Sequence, residues 1–223
     1  MQDSVAIVSG GLDSVTLLHH LVREGGKHPA VISFRYGQKH AKELDCARWQ
    51  VAALGLTAHQ VIDLAPLSAV FQGSALTTAS VAIPDVETVL GDPQPPTYVP
   101  NRNMIFLALA AAYAETVGAD TVYYGAQRHD IYGYWDTTPS FLERLNAVFA
   151  LNRKSALKLE APFVSLSKAD ILRKGFALGI DYAQTWSCYA GGDKACGRCP
   201  TCTERLTAFG EVGATDPLLY VTA

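Results

Sequence analysis

Charge is scarce in this sequence, and no part of the chain gathers it. Asp, Glu, Lys and Arg make up 17% of the 223 residues and leave a net charge of −3. No electrostatic footprint for nucleic acid follows from that balance, so a small anionic substrate has to be met by local positive groups. Long apolar runs are missing as well: the longest, residues 104–114, is too short to span a bilayer. The first strand pattern starts almost at once, with no basic region, apolar core and cleavage site ahead of it. The expectation is a cytoplasmic protein with no membrane segment and no direct nucleic-acid partner. Internal repeats, low-complexity tracts and linkers are absent too, so the chain reads as a single domain over residues 1–223. Cysteine is nearly confined to one place: four of the five lie at 188–202, which favours a metal site over a disulfide framework.

What is present is an apolar fraction of 49%, enough for a sizeable core. Strand patterns at 5–8, 30–34, 59–64, 121–124 and 157–159 alternate with helical patterns at 13–24, 38–54, 101–117, from 138 onward, 168–178 and 201–209. Such alternation predicts a doubly wound, mainly parallel sheet with helices on both faces, plus a small cysteine-bearing C-terminal subregion at about 186–205. Thr138 followed by Pro139, and Ser167 followed by Asp170, mark helix starts. The 101–117 helix is apolar almost all round, so it is expected to be buried. Residues 64–100 show no clear periodicity beyond a short helix at 67–71, and 91–97 is either a lid or an ordinary surface loop.

The stretch Ser9-Gly10-Gly11-Leu12-Asp13-Ser14 links the first strand to the first helix. A glycine turn running into a helix N-terminus offers unpaired N–H groups and partial positive charge, so an anion is its natural occupant. Gly10 and Gly11 can take positive φ, and Ser9 and Ser14 add hydroxyls; the plain alternative is a turn with Ser9 as N-cap. Asp13 would repel a phosphate unless Mg²⁺ lay between them. No Gly-Lys-Ser/Thr follows, so this is not a P-loop, and no third glycine stands at dinucleotide-fingerprint spacing. The stretch resembles the pyrophosphate loop of the ATP-pyrophosphatase superfamily, whose members activate acids or amides by adenylation.

Cys188, Cys196, Cys199 and Cys202 are spaced to surround one Zn²⁺ with four sulfurs, a closed set that makes the metal structural. An iron–sulfur cluster uses similar runs and is the alternative, with two disulfides a distant third. Lys194, Arg198 and Arg205 are near enough in sequence to offset the thiolate charge, and Cys46 reads as a small core residue.

The pyrophosphate loop, Phe34-Arg35-Tyr36-Gly37-Gln38-Lys39-His40, Tyr98-Val99-Pro100-Asn101-Arg102-Asn103 and the terminal cysteines stand in the order of the 7-cyano-7-deazaguanine synthase family, which the chain resembles along its full length. The resemblance implies an adenine nucleotide alpha hydrolase-like fold, one structural zinc, a homodimer, and a reaction taking a deazaguanine carboxylic acid, ammonia and ATP to the 7-nitrile. Two departures stand out. Asn101 replaces the family's usual glycine, and residues 127–136 match it only at Asp130, Gly133, Tyr134 and Asp136.

The ATP-binding stretch is accordingly expected at Val8, Ser9, Gly10, Gly11, Leu12, Asp13, Ser14, Val15, Thr16, Leu17 and Leu18, with Asp13 acting through Mg²⁺. Asp13, Arg35, Lys39, His40 and Arg102 form the expected catalytic set. Arg35, Lys39 and Arg102 are candidate cations for the carboxylate, the α-phosphate or the leaving pyrophosphate; the alternative for Arg35 and Lys39 is a solvated surface pair. His40 is either a proton relay from ammonium or a helix-surface histidine. The substrate set is Arg102, Asp130, Tyr134 and Asp136, with Asp130 accepting N–H bonds from a guanine-like edge. Tyr134 or Trp135 is placed to stack on the base or to serve as a core aromatic. Competing readings are another adenylating ligase, acting on a related deazapurine acid or on tRNA, and a zinc-ribbon binding module with a degenerate nucleotide fold.

Overall fold

The computed structural model describes residues 2–39, 42–92, 94–128, 134–154 and 156–221. Five strands, β1 (Ser4–Ile7), β2 (Pro29–Arg35), β3 (His59–Asp63), β4 (Thr121–Tyr123) and β5 (Lys158–Glu160), form one sheet in the order β3-β2-β1-β4-β5. All four pairings are parallel. The helices are α1 (Leu12–His19), α2 (Lys42–Ala53), α3 (Arg102–Val117), α4 (Pro139–Phe149), α5 (Lys168–Ala177) and α6 (Pro200–Glu211).

The two-residue period of the strands decides which helices cover which face. Val5, Ala30, Ile32 and Phe34 point to one side, where they pack with Leu107, Ala110 and Ala114 of α3 and Phe141 of α4. Ala6, Val8 and Val31 point to the other, into a core built by Val15 and Leu18 of α1, Ala47 of α2, Ile171 and Leu172 of α5, and Phe209 of α6. The doubly wound α/β fold is thus the one expected. Because the winding reverses between β3 and β4, a crevice opens at the carboxyl ends of β1 and β4. Two helix starts also fall where the sequence puts them. Thr138 Oγ1 accepts from the Phe141 N–H at 3.2 Å, and Ser167 and Asp170 make a reciprocal capping box.

Three local expectations need correction. Helix α3 buries only Leu107, Ala110, Ala111 and Ala114, and Met104 is 42% exposed, because those small side chains suffice to seat it on the sheet. Helix α2 starts at Lys42, not at Gln38. The Gln38 amide is spent on the turn after β2, accepting from the Tyr36 N–H at 2.8 Å and donating to the Phe34 carbonyl at 3.1 Å. Helix α1 ends at His19 and continues as a π-helical turn, His20–Glu24. Residues 64–100 hold two 3₁₀ turns, Ala65–Phe71 and Val86–Val89, and are tied down by Ala75 N–H to the Pro96 carbonyl at 2.7 Å and Val86 N–H to the Arg198 carbonyl at 3.2 Å.

Candidate active site

The turn between β1 and α1 is closed by its own serines. Ser9 and Ser14 hydroxyls lie 3.1 Å apart, the Gly10 N–H donates to Ser14 Oγ at 3.3 Å, and the Gly11 N–H donates to Ser9 Oγ at 3.2 Å. Only Gly10 takes a positive φ, +101°, and a Cβ there would stand 1.9 Å from the Glu43 carbonyl oxygen of α2. Gly11, not Ser9, is the N-cap, and no side chain caps the helix. The first N–H groups of α1 therefore meet no partner of their own helix and open on the crevice.

That crevice is a cavity of about 250 Å³. Val8, Ser9, Gly11, Leu12, Asp13 and Ser14 line it from the turn, while Phe34 and Tyr36 come from the end of β2 and Arg102, Asn103 and Phe106 from the start of α3. Tyr124 and Gln127 follow β4; Lys168 opens α5; Ser187, Tyr189, Thr201 and Glu204 come from the cysteine region and α6. A Cβ on Gly125 would meet the Ser14 backbone at 3.2 Å, so the chain leaving β4 lies directly on the first turn of α1.

A half-buried charge cluster occupies the turn end of the cavity. Lys168 Nζ is 3.0 Å from Asp13 Oδ2 and 3.3 Å from Glu204 Oε2. Burial opposes the ammonium, but the two carboxylates outweigh it and hold the Lys168 pKa above the usual lysine value. Asp13 Oδ1 is buried with no hydrogen-bond partner among the described residues, which leaves one oxygen of this carboxylate open to a cation. At the other end Arg102 donates to the Tyr36 hydroxyl at 3.4 Å and sits 5.9 Å from that ring's centre.

Several expected residues stand elsewhere. Val15, Thr16, Leu17 and Leu18 are buried in the core beneath the turn, with Thr16 Oγ1 bonded to the Leu12 carbonyl and the Tyr182 hydroxyl, each at 2.8 Å. Arg35 ion-pairs with Asp63 and is more than half exposed, because the parallel register sets Arg35 opposite Asp63 one strand away from the cavity. Lys39 Nζ donates to the Val81 carbonyl at 2.7 Å and so anchors the 64–100 segment. Neither of these cations lines the cavity, and no described residue of 91–97 forms a lid over it. Tyr134 places its hydroxyl 3.0 Å from that of Thr97, and Trp135 packs edge-on against Phe141 with ring centres 5.4 Å apart. Asp136 is 4% exposed and accepts from Asn103, so it orients the first turn of α3 and acts on Arg102 through charge. Burial raises its pKa, against the pull of Arg102. His40 and Asp130 lie outside the described residues.

Sequence reasoning missed Lys168, Glu204, Tyr124 and Gln127. Lys168 reads in the sequence only as the first residue of a helix capped by Ser167 and Asp170, yet it follows β5 at the carboxyl edge of the sheet, where ligands of parallel sheets bind. Glu204 carries no local signal; α6 brings it in from the cysteine region.

The sulfur atoms of Cys188, Cys196, Cys199 and Cys202 lie within 4.8 Å of one another, a set able to hold a metal ion. No disulfide joins any of the five cysteines in this structure. Side-chain hydrogen bonds with Cys199 and Cys202 lower the Cys188 pKa, and the bonds with Cys188 and Cys199 raise that of Cys202, so the sulfurs share protons within one group. Arg198 pairs with Asp85 at 3.2 Å, and Arg205 with Asp216 at 2.6 Å, so these two cations tie loops together where charge compensation of the thiolates was expected. Cys46 packs against this cluster, and burial pushes its thiol up to about 11.

Comparison with known proteins places this architecture. The family described as "Queuosine biosynthesis protein QueC" matches residues 3–213. A protein named 7-cyano-7-deazaguanine synthase from Marinobacter nauticus is 48% identical over 225 residues, spanning 99% of this chain and 98% of its own length. Another of that name, from Hahella chejuensis, is 46% identical and spans 97% and 92%. The solved structure of NMN synthetase from Francisella tularensis covers all of this chain and 79% of its own at a TM-score of 0.52 and 13% identity, a likeness of fold alone. With a family match and relatives that both run almost end to end, the chain belongs to the QueC family of queuosine biosynthesis proteins.

Proposed function

We propose that this chain converts 7-carboxy-7-deazaguanine, ammonia and ATP into 7-cyano-7-deazaguanine, for queuosine- and archaeosine-type tRNA nucleosides. The observation that carries the proposal is the uncapped N-terminus of α1, opening on a cavity with Asp13, Lys168 and Arg102, in a chain nearly half identical to proteins of that name. A carboxylate is a poor electrophile. Adenylation releases pyrophosphate and makes AMP the leaving group; ammonia displaces AMP and leaves an amide. The amide oxygen is then adenylated in turn and lost with AMP, giving the nitrile at a cost of two ATP. Such chemistry is mostly positioning and charge stabilisation. The α1 N–H groups hold the phosphates, while Lys168 and Arg102 supply positive charge to the α-phosphate, the carboxylate or the leaving pyrophosphate.

Asp13 suits Mg²⁺, having one oxygen on Lys168 and one with no partner, and the ion would neutralise phosphate charge there. The four cysteines suit one Zn²⁺, whose ligand sulfurs stand about 3.8 Å apart in a tetrahedron; a cluster with one thiolate per iron spreads its sulfurs further. The same proposal takes the chain as one domain with its metal-binding subregion at 186–205, acting as a cytoplasmic homodimer. Exposed apolar side chains Met104, Trp135 and Val148 beside α3 and α4 support a second copy as partner. No described helix is long and apolar enough to cross a membrane.

The test supplies the acid, ammonium and ATP and follows pyrophosphate release and product mass. The wild-type protein yields the nitrile. Asp13→Ala stays folded, since Lys168 keeps Glu204, but loses turnover by about a thousandfold. Wild-type turnover in that variant, or no nitrile from the wild type, refutes the reading.

A further inference from the structure

Two polar groups of the cavity have no use in the phosphate chemistry and no hydrogen-bond partner among the described residues. Gln127 is 3% exposed and its Oε1 is unpaired; Tyr124 is 6% exposed and its hydroxyl is unpaired. Both line the cavity just past β4, on either side of the Gly125 that rests on Ser14. Buried polar groups are almost always bonded, and one left unbonded loses its water without compensation. A site keeps such groups where a ligand completes them. The amide oxygen can only accept, so it calls for a ligand N–H. The tyrosine hydroxyl can donate, and burial pushes its pKa up, which keeps the proton in place. Flat rings stand in the same cavity: Phe34 and Phe106 stack with centres 4.2 Å apart, and Tyr36 meets Phe106 at 5.3 Å. That surface matches a planar heterocycle.

We infer that Gln127 and Tyr124 read the ring edge of the heterocyclic acid, Gln127 Oε1 accepting a ring or amino N–H and the Tyr124 hydroxyl donating to a ring acceptor beside it. The inference rests on the reaction proposed above and adds to it the residues that choose the substrate. Adenine carries an amino N–H of the same kind, so the experiment has to separate acid from nucleotide.

Steady-state kinetics on Gln127→Leu, Gln127→Glu and Tyr124→Phe, varying the acid and ATP separately, make that separation. Gln127→Leu raises KM for the acid by about 10- to 100-fold and leaves KM for ATP within about twofold. Gln127→Glu retains an acceptor and recovers most of that loss, and Tyr124→Phe raises KM for the acid about tenfold. Thermal melting of the free proteins adds a readout that a purely structural role would move the other way: Gln127→Leu melts no lower than wild type, because it removes an unpaired buried acceptor. An unchanged KM for the acid, a rise in KM for ATP instead, or a clear drop in melting temperature overturns the assignment. A wild-type protein that makes no nitrile overturns the reaction, and with it the substrate edge; nitrile formation with an unaltered Gln127→Leu profile overturns the edge alone.

Discussion

His19, on α1, is 2% exposed, and its Nε2 lies 2.8 Å from Gln50 Oε1, whose own amide donates to the Asp181 and Gln184 carbonyls. Burial lowers the His19 pKa below the usual 6.5, the Gln50 bond works against it, and Arg23 adds to the lowering. The folded protein thus holds this imidazole neutral while the unfolded chain protonates at its ordinary value. Stability is therefore complete above about pH 6.5 and falls as pH drops from there toward the lower folded-state pKa. His59, lowered by burial and by Arg48, acts in the same direction. Urea unfolding between about pH 7 and 5 will show the decline, and His19→Gln, which can still donate to Gln50, will flatten it; an unaltered slope in the variant traces the effect to other groups. Single residues were the hardest things to read in the sequence. Arg35 and Lys39 have the right charge at a strand's carboxyl end, but an unseen Asp63 and an unseen Val81 carbonyl claim them. Gln127 opens the 127–136 stretch expected to face the acid, but nothing local marks it as the buried member of that stretch.

At the scale of elements, periodicity and caps carried most of the information. Strands of alternating or continuous apolar residues, a capping box at Ser167 and a proline at the first turn of α4 each depend on local rules, and each element stands within a few residues of its expected place. Helix α3 escaped those rules because alanines and leucines on all sides give no contrast between a face on the sheet and a face left outside. The 64–100 segment escaped them because its order comes from bonds to Lys39 and Arg198, remote in sequence. Gly10 shows a local rule at full strength. Its +101° φ and the 1.9 Å approach of the Glu43 carbonyl oxygen to any Cβ force either α2 or the turn to move in Gly10→Ala. Urea denaturation will find that variant less stable by about 3 kcal/mol or more, or recover it only unfolded. A loss below about 1 kcal/mol would mean that the packing of α2 on the turn is loose.

The whole molecule is held shut around its C-terminal region. Arg205 and Asp216 form an ion pair, each side chain 1% exposed, and Ala195 bridges Tyr220, so the tail is fastened to the cysteine loop. Helix α6 has Cys199 as its N-cap, bears Cys202 in its first turn, and presents Thr201 and Glu204 to the cavity. Metal analysis is expected to find one zinc ion per chain, and a strong chelator to lower the melting temperature and abolish nitrile formation together. Full activity after complete metal removal would uncouple the two sites, and iron in place of zinc would reassign the metal. This shared helix also decides where the chain can lengthen. Residues 190–194 are exposed, so an insertion there only enlarges a surface loop. One residue added between Cys199 and Glu204 would turn the carboxylate by about 100° around the helix, away from Lys168, while leaving every cysteine present. A count of cysteines would pass such a protein as intact; the spacing from the third cysteine to the glutamate would not.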